Sequence, residues 1–187
     1  LGFTINYQHL QNFSSTSFFI IVLFSSSVFI LGFIIGKFLK IEKKISYLVS
    51  AAAAICGGTA VAAIAPIIKA KPTEVVNIIS ILFFFNILSM IMFPLLGEYL
   101  DLNSIEFGIL SALAIHDTSS VIATAFIYNE ESAQIASILK TFRTVLIIPL
   151  ILCMAWIYST SGKLRFPLFI LFFISAIFIN NYFSFNE

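Results

Sequence analysis

Residues Ala112 to Ala125 read ALAIHDTSSVIATA, with His116, Asp117, Thr118, Ser119 and Ser120 in one row between apolar and small residues. The surroundings of that row decide how it is read. Sixty per cent of the 187 residues are hydrophobic and ten per cent are charged. Mean hydropathy is +1.06, far above that of a soluble domain. The apolar residues gather in runs about 20 long, the length an α-helix needs to cross roughly 30 Å of hydrocarbon. The chain is therefore an integral membrane protein, and IHDTSS stands at membrane depth, where a carboxylate costs a few kcal/mol or more. A row of polar and small residues there marks an interrupted helix.

Working outward from this stretch, hydropathy marks six segments in one membrane domain, at about 18–39, 46–66, 75–97, 106–128, 133–158 and 166–183. The first is an ordinary spanning helix with Gly32 and Gly36 spaced as GxxxG, a spacing that serves helix contact within a bundle better than it argues for dimerisation. The second, SYLVSAAAAICGGTAVAAIAP, is built from Ala and Gly and is interrupted at Gly57 and Gly58. The third is bulky, carries Asn77 and Asn86, and is expected to be stopped by Pro94. The fourth holds the opening stretch. The fifth begins polar, with Lys140, Thr141, Arg143 and Thr144, and turns apolar through LIIPLILCMAWIY. The sixth is rich in Phe and Ile, with Trp156, Tyr158 and Tyr182 at interfacial positions.

The fold class is therefore all-α, a polytopic transmembrane bundle with two interrupted segments. Interrupted helices in paired positions are the best sequence pointer to the midplane site of an inverted-repeat transporter. Charge bears on how these segments run. Eight of the ten basic residues fall in three loops: Lys37, Lys40, Lys43 and Lys44, then Lys69 and Lys71, then Lys163 and Arg165. Glu98, Asp101, Glu106, Glu130 and Glu131 fill the other two. If both interrupted segments enter and return on one side, all three basic loops are cytoplasmic, in keeping with the positive-inside rule. Helices that are broken at the midplane but still cross are the alternative.

Asp117 is the one acidic residue inside a hydrophobic segment, so a compensating partner is expected. Lys140 and Arg143, at i and i+3, project from one face of the next helix. The simplest satisfaction is an Asp117–Arg143 pair, since a guanidinium binds a carboxylate with two parallel hydrogen bonds. Such a pair would either lock two helices together or take part in transport, with Asp117 or His116 titrating and Arg143 or Lys140 facing an anion. At ICGGT, the interruption frees the amides of Gly58, Thr59 and Ala60 at a half-helix N-terminus, which favours an anion. The alternative is that these glycines serve close helix packing. The candidate substrate-binding residues are Cys56, Gly57, Gly58, Thr59, His116, Asp117, Thr118, Ser119, Lys140 and Arg143.

Other classes fit poorly. Net charge is +1, so nothing argues for nucleic acid. Two cysteines, Cys56 and Cys153, lie in apolar segments and suggest no disulfide framework. A metal phosphohydrolase needs more His and Asp than a chain with only His9 and His116 supplies. No phosphate-binding Walker sequence occurs. Neither an enzyme nor a cofactor is expected.

Three strings taken together, AAAAICGGTAVAAIAPIIKAK, AIHDTSSVIATA and ASILKTFRTVLIIPL, resemble in order and spacing the motifs of the YeiH family, bacterial inner-membrane proteins assigned by inference to sulfate export. The matching positions are Cys56, Gly57, Pro66, Lys69, His116, Asp117, Lys140, Arg143 and Pro149. The resemblance implies an architecture like that of the cation-proton antiporter and bile-acid symporter superfamily, with inverted repeats and broken helices. It also implies more helices than six, so the chain is expected to be a fragment at both ends. The implied function is secondary export of a small inorganic anion such as sulfate across the bacterial inner membrane, with Asp117 and His116 either coupling a proton or holding the counter-charge. A cation- or proton-coupled antiporter using Asp117, and a non-transporting membrane scaffold, are the alternatives.

Overall fold

The computed structural model describes residues 15–158, all-helical with no strand among them. The expected segment at 166–183, the basic residues Lys163 and Arg165, and Tyr182 lie outside the described residues. Eight helices are described: α1 (Ser15–Phe38), α2 (Lys43–Ala54), α3 (Gly58–Ile68), α4 (Pro72–Tyr99), α5 (Ser104–Ala114), α6 (Thr118–Tyr128), α7 (Glu130–Val145) and α8 (Ile147–Tyr158). Three stretches are long and apolar enough to cross a membrane: Phe19–Phe38, Pro72–Tyr99 and, taking α7 and α8 together, Glu130–Tyr158.

Both interrupted segments resolve into two short helices joined by a three-residue break, Ile55 to Gly57 in one and Ile115 to Asp117 in the other. The first break lies one residue earlier than the glycine pair suggested, because Gly58 is already the first residue of α3. Of the two glycines, Gly57 adopts a conformation that an L side chain resists, at φ 61° and ψ −120°.

The half-helices fold back on each other. Lys44, at the start of α2, donates from Nζ to the carbonyl of Lys69 just past α3, at 3.1 Å. In the second hairpin the Tyr128 hydroxyl, at the end of α6, donates to the Leu102 carbonyl just before α5. The rings of Phe107 and Tyr128 stack with centroids 4.0 Å apart. Ser132 of α7 donates to the Ser104 carbonyl at 2.8 Å, so α7 starts at this same end.

These contacts fix the course of the chain. α1 leads into the α2–α3 hairpin, whose outer ends lie together, and α4 runs on from there for 28 residues. The α5–α6 hairpin likewise has its outer ends together, beside the start of α7, and α8 ends with the Tyr158 ring centre 5.9 Å from that of Tyr47 near the start of α2. Lys37, Lys40, Lys43, Lys44, Lys69 and Lys71 thereby gather at the outer end of the first hairpin. Glu98, Asp101, Glu106, Glu130 and Glu131 gather at that of the second.

Local sequence explains where the elements start. Asn103 caps α5 by accepting from the amides of Ile105 and Glu106, both at 3.0 Å, while Glu106 accepts from the Asn103 amide. Asn129 caps α7 through the Ser132 amide at 2.8 Å. Pro72 opens α4, where its missing N–H costs nothing. Pro94 does not end that helix as expected; α4 continues to Tyr99. In hydrocarbon a helix that stopped there would leave several more backbone groups unpaired than the one bond proline removes.

Between apolar helices in lipid, close packing and hydrogen bonds hold the bundle. A Cβ on Gly32 would come within 2.8 Å of Ser50 Oγ, and one on Gly36 would run into Ser46, so the GxxxG face is the seat of α2 within the bundle. The buried apolar residues form two clusters. One gathers α2, α3 and α8 around Leu48, Val61, Ile64 and Ile151. The other gathers α5, α6 and α7 around Ile115, Val121 and Ala136.

Candidate functional site

The tips of the two hairpins meet. A Cβ built on Gly57 would stand 3.4 Å from the Cβ of His116 and 3.7 Å from the amide nitrogen of Asp117. Two three-residue breaks far apart in sequence thus share one spot, and four helix termini converge on it. The C-termini of α2 and α5 bring carbonyls; the N-termini of α3 and α6 bring amides.

Each set of orphan backbone groups has its own solution. Arg143, 1% exposed, closes both C-termini. Its Nε donates to the Ala54 carbonyl at 2.8 Å and one terminal nitrogen donates to the Ala53 carbonyl. The other terminal nitrogen donates to Ala112 at 3.1 Å and to Leu113 at 2.8 Å. The guanidinium also lies 5.6 Å from the centre of the Phe24 ring of α1, within cation–π range. Lys140, fully buried, donates to the Ile115 carbonyl at 2.7 Å. Cations at helix C-termini are the favourable arrangement for the dipole as well as for the carbonyls.

The expected Asp117–Arg143 pair is not what forms. Asp117 caps α6 instead, accepting from the Ser120 amide at 3.0 Å and from the hydroxyls of Ser119 and Ser120. The reason is local: a carboxylate at an N-cap reaches amides of its own chain two and three residues on, while Arg143 is occupied by four carbonyls. Among the described residues the one ion pair is Lys71–Glu74, at 3.9 Å.

The α3 N-terminus is treated differently. Its N-cap is Gly57, which has no side chain to cap with. The buried Cys56 thiol sits beside the Thr59 hydroxyl and the Ala60 amide, a weak acceptor at most. A Cβ on Gly58 would meet nothing within 4 Å, so open space fronts this terminus. His116 stands next to it, and its Nδ1 is buried with no hydrogen-bond partner among the described residues. Thr118 follows at the first position of α6. Among the described residues no three His, Cys, Asp or Glu side chains gather where a metal ion could be held.

The candidate residues are thus brought together, with roles the sequence did not distinguish. Cys56, Gly57, His116 and Asp117 make the breaks; Gly58, Thr59, Thr118 and Ser119 open the returning helices; Lys140 and Arg143 hold the incoming ones. The carbonyls of Ala53, Ala54, Ala112, Leu113 and Ile115 were not foreseen. Every residue carries a carbonyl, so no residue type signals one that is about to be used.

A family model described as conserved hypothetical protein 698 matches residues 1–187, the whole chain. The chain belongs to this family. A UPF0324 membrane protein of Porphyromonas gingivalis is 44% identical over 156 residues, covering 82% of this chain and 47% of the relative. One from Bacteroides thetaiotaomicron is 37% identical over 184 residues, covering 97% and 56%. The UPF0324 membrane protein VP0936 of Vibrio parahaemolyticus is 38% identical over 189 residues, covering 98% and 61%. The chain spans about half to three fifths of the length of these relatives. No solved structure matches it.

Proposed function

We propose that the chain forms the core of a secondary transporter that exports a small inorganic anion, such as sulfate, across the bacterial inner membrane. The meeting of Gly57 with His116 carries this reading, because it sets an uncapped helix N-terminus opposite a second broken helix in the middle of the bundle. Helices of 11 or 12 residues rise roughly 16–18 Å, about half of the hydrocarbon thickness. Both hairpins are then re-entrant, one from each side, with their tips at the midplane. Each is followed by a crossing stretch, α4 or α7–α8, so hairpin plus span recurs in the opposite sense, as in an inverted repeat. The breaks support this at sequence level: Ala52, Ala54, Ile55, Val61, Ala63 and Ala65 recur as Ala112, Ala114, Ile115, Val121, Ala123 and Ala125.

Electrostatics favours an anion over a cation. Helix ends of the two signs cancel in pairs at about half a charge each, so Lys140 and Arg143 against Asp117 leave about one net positive charge at the crossing. In this reading the anion meets the amides of Gly58 and Thr59 and the hydroxyls of Thr59 and Thr118. Arg143 and Lys140 act as fixed charges that hold the carbonyl ends, and His116 supplies the nearby proton site. The lysine end is cytoplasmic under the positive-inside rule.

The test is efflux of labelled sulfate from vesicles containing the full-length protein, with and without a pH gradient. Gradient-dependent sulfate movement that is lost in Gly58→Leu is the expected result. Proton release on adding Na+ or K+, with none on adding sulfate, would transfer the assignment to a cation antiporter built on Asp117.

A further inference from the structure

At the lysine end, the last turns of α1 and the first turns of α2 border a half-open cavity of about 470 Å3 lined by Phe33, Lys37, Ile41, Lys43, Ser46 and Tyr47. It is remote from the hairpin tips, and its chemistry is mixed in an ordered way. Phe33 and Tyr47 stack with centroids 4.6 Å apart and form an aromatic floor. Lys43 Nζ stands 5.8 Å from the centre of the Tyr47 ring. Neither Lys37 nor Lys43 is in an ion pair among the described residues. Ser46 is buried beneath the cavity, its hydroxyl packed against Gly36 of α1. The N-cap of α2, Glu42, makes no side-chain cap, so the first amides of that helix also face this end unfilled.

Two cations and an uncapped helix N-terminus call for a group with negative charge and several acceptor oxygens, which describes a phosphate. The cavity's surroundings identify the molecule that carries it. Ile34 and Phe38 of α1, with Leu39 and Ile41 just past its end, are exposed beside it, so an acyl chain has an apolar surface to follow away from the headgroup. A soluble anion would gain nothing from the aromatic floor or from this apolar exit. Basic pockets between membrane helices are a known form of headgroup site.

We propose that this cavity binds an anionic phospholipid from the leaflet at the lysine end, with Lys37 and Lys43 on the phosphate and Phe33 and Tyr47 under the glycerol and first acyl carbons. The site is independent of what the hairpin tips transport.

The experiment uses full-length protein, delipidated in neutral detergent and titrated with phosphatidylglycerol, phosphatidylcholine and glycerol phosphate, with bound lipid counted by native mass spectrometry. Phosphatidylglycerol is expected to bind the wild type and a Lys69→Gln/Lys71→Gln control alike, and Lys37→Gln/Lys43→Gln about 25-fold more weakly, at about fivefold per lysine. Ile41→Trp, a change at an exposed position that fills the cavity without altering charge, is expected to weaken binding as well. Equal losses in the two lysine pairs would overturn the proposal in favour of a general surface field. Glycerol phosphate competing as well as the lipid would overturn it in favour of a soluble anion.

Discussion

Arg143 donates its Nε–H to the carbonyl of Ala54 at 2.8 Å, across 89 residues of chain. With its other nitrogens on Ala53, Ala112 and Leu113, one side chain ends two helices to which it does not belong. The hairpin tips are therefore held by a single planar group, and removing it strips several buried carbonyls of their partners at once.

Arg143→Leu is expected to destabilise the folded protein by on the order of 3 kcal/mol or more, since each buried acceptor left unpaired costs about 1–3 kcal/mol. Arg143→Lys should recover only part of this, because an ammonium cannot present the planar fork that spans both helix ends. Thermal unfolding in detergent ranks the three proteins, and a lysine variant as stable as wild type would refute the bridging role.

Gly57 and Gly58 are expected to respond in opposite ways to alanine. Gly57→Ala forces a side chain into φ 61° and against His116, a strain of about 1–3 kcal/mol. Gly58→Ala enters open space and should leave the melting temperature nearly unchanged. Under the proposed function it should nonetheless reduce anion transport, since the new methyl occupies the space in front of the α3 amides.

Asp117 separates capping from charge. Asn is as good an N-cap as Asp, so Asp117→Asn should hold stability within a few tenths of a kcal/mol, whereas Asp117→Ala should cost about 1 kcal/mol. Had Asp117 been the partner of Arg143, both changes would be equally damaging. Melting curves of the pair distinguish the two arrangements.

The course of the hairpins predicts accessibility. Under the proposed orientation, in a Cys153→Ser background, which removes the exposed native thiol, Thr73→Cys at the lysine end should react with an impermeant thiol reagent only from the cytoplasmic side. Asp101→Cys should react only from outside. Labelling of position 73 from outside would invert the orientation or break the first hairpin's re-entry.

Gly36→Val tests the seat of α1. The added side chain would run into Ser46, and α1 should part from α2 with a loss of stability measurable by thermal unfolding. The same change at Gly97, on another helix, meets Phe107 and Tyr128, and should loosen the second hairpin instead.

The sequence by itself determined the solvent and the interruptions. Runs of about 20 apolar residues can only be membrane segments, and Ala-Gly or polar rows within them can only be tolerated where backbone or side-chain groups find partners. Hence the breaks at ICGGT and IHDTSS, the shared face of Lys140 and Arg143, and the lysine and acidic loops were all legible. What followed each break was not, because a half-helix has the same periodicity whether it continues across or turns back. Tertiary contacts made far from the breaks, Lys44 with Lys69 and Tyr128 with Leu102, hold the outer ends of each pair of half-helices together. The partner of Arg143 was likewise beyond the sequence. A carboxylate is visible as the letter of Asp117, but the acceptors that Arg143 uses are backbone carbonyls, present at every residue and exposed only where folding has ended a helix.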